Sequence, residues 1–185
     1  MFTRAQLVGL RVAFVVGGSI AGFAFCQAWY RTVEGRASVW LVRMIAGKSH
    51  AALAAHAEIL VRPLHGPAFL AIITPSCSAT ASILAIGCLA SLAPRLGRGR
   101  RLVATSVALG TVAIGNILRI SLSVLAGVRA GVASLVLFHD WVGGVMTFVY
   151  TLGGYVLLLY VLLPRTGRPV IADTHEVSEE AHVPA

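Results

Sequence analysis

Apolar residues gather into four long runs, residues 7–29, 76–93, 102–125 and 141–163, each bounded by charged or proline-bearing segments. At 1.5 Å per helical residue, a run of about 20 covers a hydrocarbon core of roughly 30 Å, so each run predicts a transmembrane helix. Between the first two, Arg31, Glu34, Arg36, Arg43, Lys48, Glu58 and Arg62 recur too often for any such window to stay apolar. Residues 30–75 therefore read as an extramembrane loop. Within it, Val39, Trp40, Leu41, Met44 and Ile45 lie near helical spacing between Arg36, Arg43 and Lys48, which predicts an interfacial helix on the membrane surface. Two β-capable runs, 58–63 and 67–73, flank Leu64-His65-Gly66 and predict a short β-hairpin. The expected architecture is an all-α integral membrane protein, a bundle of about four transmembrane helices in a single membrane domain over residues 1–163. Loops at 94–101 and 126–140 and a disordered cytoplasmic tail at 164–185 complete it.

Composition supports the membrane class: 57% hydrophobic and 12% charged residues are more apolar surface than 185 residues can hide in water. A net charge of +8 would suggest nucleic acid in a soluble chain. Here the basic residues stand between and beside the apolar runs, where they set topology among membrane lipids, and no nucleic-acid partner is expected. The segment RLGRGRR at 95–101 carries four arginines in seven residues and marks the cytoplasmic side. With four spans, both termini share that side and the 30–75 loop faces out, a multi-pass arrangement in the cell membrane. The first run, with Arg4 and Arg11 at its start, has the outline of a signal peptide, but no small-x-small cleavage site follows. A retained anchor is the reading. Gly18 and Gly22 share one face of it and permit close packing against another span.

Candidate chemistry is sparse. Cys26, Cys77 and Cys88 have no paired spacing, so neither a disulfide framework nor a CxxC site is indicated, and Cys26 and Cys88 read as packing residues. His50, His56 and His65, spaced by six and nine, share no helical face, so no metal and no cofactor is expected. Cys77 differs. Thr74 suits an N-cap and Pro75 a first helical position, which puts Cys77 in the first turn of the second span, where helix amides favour a thiolate. Arg119, about 17 residues into its span or roughly 26 Å along it, reaches the same outer boundary. An arginine there is costly unless paired or lining a polar cavity, and Asn116 one turn earlier makes a polar patch. His139 stands just before the fourth span, and an imidazole is the standard partner of a cysteine nucleophile. Taken singly, each residue has a plainer reading. The competing hypothesis is a non-enzymatic membrane module whose Arg119 binds an anionic lipid headgroup or a partner helix.

At these positions the chain resembles the exosortase/archaeosortase family of membrane-embedded cysteine transpeptidases. The matching segments are CSA at Cys77 to Ala79, NILRI at Asn116 to Ile120 and HDWVGG at His139 to Gly144, within residues 58–163. Ala79 stands where the family has glycine, and many members have more spans. The resemblance implies Cys77 as nucleophile, His139 as general acid/base and Arg119 as oxyanion stabiliser, with Asn116 and Ser78 supporting. It implies, as substrates, secreted proteins with a C-terminal tripartite signal: short motif, transmembrane helix, basic cluster. The acceptor, water or an amine, stays open, so the activity is hydrolase or transferase. Asn116, Glu34 and Glu58 are candidates to orient His139, whereas the neighbouring Asp140 points elsewhere in regular structure.

Overall fold

The computed structural model describes residues 4–55, 57–92 and 98–162. The expected tail at 164–185, most of the 94–101 loop and His56 lie outside the described residues. In chain order the elements are α1 (Arg4–Ala46), β1 (Ala51–Ala55), β2 (Glu58–Val61), β3 (Phe69–Ile72), a 3-10 turn (Pro75–Cys77), α2 (Thr80–Leu92), α3 (Arg98–Leu137), a π-helical turn (Phe138–Val142) and α4 (Gly143–Leu162).

The expected break at residue 30 is absent, because α1 continues without interruption to Ala46. Charge density ends an apolar window, but it does not end a helix when the charged side chains find partners. Arg31 donates through Nη1 to the Ile73 carbonyl at 3.1 Å, Arg43 through Nε to the Ala51 carbonyl at 2.7 Å, and Glu34 is fully buried. The expected interfacial helix is thus the end of α1: Val39 and Val42 on it are core residues, whereas Trp40, Met44 and Ile45 are exposed. Gly47 stops α1 at φ 98, a left-handed C′ position that glycine takes without steric cost, and its N–H returns to the Arg43 carbonyl.

The expected hairpin is present as β2 and β3, antiparallel with Leu60 opposite Leu70. A third strand joins it on the other side, giving the order β1-β2-β3, with Ala51 opposite Val61. The alanine-rich β1 carries no strand propensity of its own, and β2 supplies the pairing.

Among the described residues, two stretches, Val12–Ala46 and Gly99–Leu162, are long and apolar enough to cross a membrane, fewer than the four expected. With 13 residues, α2 rises only about 20 Å and falls short of a crossing by itself. It also begins at Thr80, after the 3-10 turn, and not at residue 76. The second stretch doubles back: Ala130 and Gly131 leave helical geometry, Gly131 with φ 80, and Leu135 returns against Gly127. Residues 126–140, expected as a loop, are therefore helical apart from this reversal. The two arms then run antiparallel, with Arg100 Nε donating to the Val161 carbonyl at one end and Arg119 against Gly143 at the other. Close approach needs glycine, since a Cβ on Gly115 would come 2.6 Å from the Tyr150 side chain and one on Gly154 2.8 Å from Val112.

Two cores result. One joins the sheet to the upper parts of α1 and α3 through Val42, Ile59, Val61 and Val124; the other joins α2, α3 and α4 through Ile86, Val112 and Leu158. Large apolar side chains such as Phe14, Phe25 and Phe148 point outward, as they would toward lipid. The segment from Thr74 to Thr80 crosses the seam, with Cys77 against the first core and Ala79 in the second.

Candidate active site

The strand β3 delivers the chain into Thr74, whose carbonyl accepts the Cys77 N–H at 3.0 Å and closes the 3-10 turn. Thr74 is N-cap to that turn in position only; its hydroxyl does not cap it. Instead Oγ1 lies 2.9 Å from Cys77 Sγ and 2.9 Å from Ser76 Oγ. Cys77 thus sits at the end of a short turn ahead of α2, not in the first turn of a long helix.

Across the seam, His139 Nε2 is 3.2 Å from Cys77 Sγ. The π-helical turn explains the reach. One extra residue in the turn widens the helix at Phe138–Val142 and re-aims the imidazole toward the 3-10 turn. Burial pushes the Cys77 thiol up, but hydrogen bonds from His139 and Thr74, with the charge of the imidazolium, outweigh it and bring the thiol down from 9.0 to about 7.

Arg119 completes the contact set. Its Nη1 donates to the Cys77 carbonyl at 3.2 Å and to Asn116 Oδ1 at 3.4 Å, while Nη2 stands 3.4 Å from His139 Nε2. The guanidinium is buried, and its Nε has no hydrogen-bond partner among the described residues. It fits only because residue 143 is glycine: a Cβ there would meet Nε at 2.8 Å. Nε2 of His139 thus faces two groups that compete for it. As a lone pair it accepts from Cys77 or Arg119; once protonated it donates to the thiolate, and Arg119 must turn elsewhere.

Beneath these three lies a buried polar scaffold. Asn116 Nδ2 donates to the Cys77 carbonyl at 3.0 Å and to Glu34 Oε1 at 2.7 Å, and the Tyr150 hydroxyl donates to Asn116 Oδ1 at 2.9 Å. Glu34 Oε1 also accepts the Ala79 N–H at 3.0 Å. The peptide on each side of Ser78 is therefore held by side chains from two helices, Glu34 of α1 and Asn116 and Arg119 of α3, with Tyr150 of α4 bracing Asn116, which fixes the thiol by fixing its backbone. Ser78 takes a lesser part: its hydroxyl lies 2.7 Å from Thr80 Oγ1 and accepts the Thr80 N–H, a local cap for α2.

The residues expected to orient His139 do other things. Glu34 and Asn116 hold the Cys77 segment and Arg119, Glu58 lies in β2, and the imidazole is oriented by Cys77 and Arg119 themselves. Thr74 as a thiol partner and Tyr150 as an Asn116 partner were not expected. Tyr150 had a signal: Gly143, Thr147, Tyr150 and Gly154 form a small-and-polar stripe at helical spacing, the kind that faces a neighbouring helix. Of the loop histidines, His50 Nδ1 pairs with the Arg62 carbonyl at 3.0 Å, far in sequence from the thiol. Cys88 Sγ lies 2.6 Å from Ser19 Oγ, between α1 and α2.

The chain was compared with protein-family models, with curated proteins and with solved structures, and it matches none of them.

Proposed function

We propose that this protein is a membrane-embedded cysteine peptidase or transpeptidase of exosortase type. The observation that carries the reading is the convergence of Cys77, His139 and Arg119 within hydrogen-bond distance of one another, on three separate segments of chain. Its substrates are secreted proteins with a C-terminal tripartite signal, presented on the side of the membrane opposite the 95–101 arginines. In that arrangement α1, α2 and the two arms of the 99–162 stretch all lie in the membrane, and both termini are cytoplasmic.

The chemistry balances without a cofactor. His139 Nε2 takes the Cys77 proton, and the thiolate attacks the scissile carbonyl carbon, forming a C–S bond and a tetrahedral oxyanion. Arg119 Nη2, released from Nε2 by that proton, is the N–H available to the oxyanion. Two cations as close as the imidazolium and the guanidinium repel, which favours handing the proton to the leaving nitrogen as the C–N bond breaks. A thioester remains. Water or an amine gives its proton to His139, attacks the thioester and frees Cys77 as a thiol.

The competing module reading asks Arg119 to meet a headgroup or a partner helix. A guanidinium only 7% exposed, already engaged by Cys77, Asn116 and His139, has little to offer either.

Iodoacetamide is expected to abolish processing of a co-reconstituted signal-bearing substrate. The thiolate is the reactive form, so the inactivation rate should rise from pH 6, pass its midpoint near 7 and level off about one pH unit higher. A chelator such as 1,10-phenanthroline should leave processing intact. Full processing by protein alkylated at Cys77 would sink the reading.

A further inference from the structure

The sheet ends, in space, at β3, because the order β1-β2-β3 leaves one side of that strand unpaired. Its hydrogen-bond parity is fixed. The Ile73 N–H donates to the Ala57 carbonyl at 2.9 Å, so pairs two residues apart, Ala71 with Ile59 and Phe69 with Val61, are the bonded ones. The backbone N–H and C=O of Leu70 and Ile72 consequently point away from β2. Among the described residues nothing bonds to them. Free strand edges are templates for pairing with another chain, and proteins usually blunt them with charge, proline or a covering element. Neither charge nor proline interrupts Phe69 to Ile73.

Facing this edge is a cavity of about 230 Å³, walled by β3, by Val124 of α3 and by Val132, Leu135 and Val136 from the returning arm. Its walls are apolar except where Ser123, Cys77 and His139 enter. Pockets for drug-sized ligands run about 300–1,000 Å³, so this one suits a side chain or two. Strand edge and thiol are continuous, since only Ile73 to Ser76 separate β3 from Cys77.

We propose that the cavity and the β3 edge form the substrate subsite: the polypeptide next to the scissile bond binds as an added strand on Leu70 and Ile72, with an apolar side chain in the cavity. This rests on the peptidase reading above and adds its specificity. Backbone pairing gives affinity without regard to sequence, and the cavity selects one uncharged, apolar residue beside the cleaved bond. A charged side chain there would lose its hydration with no counter-charge among Val124, Val132, Leu135 and Val136. The same walls would also suit a lipid chain, but a lipid has no use for a row of amide donors and acceptors leading to a nucleophile.

The test labels Cys77 of the full chain with three alkylating probes: acetyl-Val-Ala-Leu-chloromethyl ketone, its acetyl-Val-Ala-Asp counterpart, and iodoacetamide, which needs no groove. The leucine probe is expected to label Cys77 at least about 30-fold faster than the aspartate probe, given the cost of burying an unpaired charge. Val136→Trp fills the cavity from a half-exposed position. Leu70→Pro removes one outward N–H and no ladder bond, a placement that edge strands tolerate. Val136→Trp is expected to bring the peptide probes within about threefold of each other through the lost pocket, and Leu70→Pro to slow both peptide probes alike through the lost strand contact, with iodoacetamide labelling unchanged in either variant. Unchanged iodoacetamide labelling also certifies the fold. Equal labelling by both peptide probes in the unaltered protein, selectivity that survives Val136→Trp, or peptide labelling that Leu70→Pro does not slow would overturn the subsite. So would equal slowing of both peptide probes by added phospholipid, which would mark an acyl-chain site. Failure of the peptidase reading appears elsewhere, as processing that survives alkylation of Cys77.

Discussion

Replacing Cys77 by alanine is expected to drop substrate processing to background, a loss of at least about 10⁴-fold, because the covalent route disappears entirely. The fold should survive the change. Cys77 Sγ has two polar neighbours, and each keeps another: Thr74 Oγ1 retains Ser76 Oγ, and His139 Nε2 retains Arg119 Nη2. No buried polar group is orphaned. Serine is the sharper control, since its hydroxyl replaces the thiol in both contacts yet does not ionise near pH 7, and it is expected to be as inactive as alanine. Cys88→Ala should process normally, because that sulfur sits beside Ser19 between α1 and α2. The readout is the ratio of cleaved to intact substrate in vesicles at matched enzyme amounts. Processing by Cys77→Ala at even a tenth of the normal rate would remove the nucleophile from the scheme.

Arg119→Lys is expected to lower kcat by about 10²–10³-fold with a much smaller change in KM, the usual effect of losing a donor aimed at a developing oxyanion. The substitution keeps the charge and loses the fork. Nη1 holds the Cys77 carbonyl and Asn116 Oδ1 while Nη2 reaches toward His139, and a single ammonium on a flexible stem cannot span both sides of the site. Cys77 alkylation separates the roles: if Arg119 acts on the transition state, iodoacetamide reactivity at pH 7 stays within a few fold of normal while processing collapses. Parallel loss of both would make Arg119 a scaffold for the thiol only. Gly143→Ala probes the same point from behind, since the added Cβ meets Arg119 Nε at 2.8 Å and displaces the guanidinium without removing it.

What could be read from the chain alone divides along physical lines. The apolar runs, the β2–β3 hairpin and the order of cysteine, arginine and histidine are local patterns, and they mark the segments that the fold brings together. Helix limits were not legible wherever charge was mistaken for solvent. Arg31, Glu34 and Arg43 interrupt hydropathy after residue 30, yet all three sit on α1 and bind backbone groups of the sheet and the cysteine segment. Glu34, Ser38 and Val42, at i, i+4 and i+8, already lie on one helical face, and all three are fully buried. That stripe was the available signal. The reversal at Gly131 falls inside the loop expected at 126–140, but its shortness was not legible, because apart from Arg129 the residues around it are apolar and stay helical on either side of Ala130 and Gly131. The π-helical turn that aims His139 has no sequence signature at all and follows from how the returning arm packs on α3.

The most direct test of the central claim is the mass of the protein during turnover. Enzyme and substrate are mixed, quenched in acid within the first turnovers, and the peptide containing Cys77 is weighed. The expected result is an adduct on Cys77 with the mass of the substrate's N-terminal product less one water, released by hydroxylamine as a thioester must be, and absent from Cys77→Ala. Turnover that proceeds with Cys77 unmodified at every quench time, or an adduct carried by Cys26 or Cys88, would contradict it.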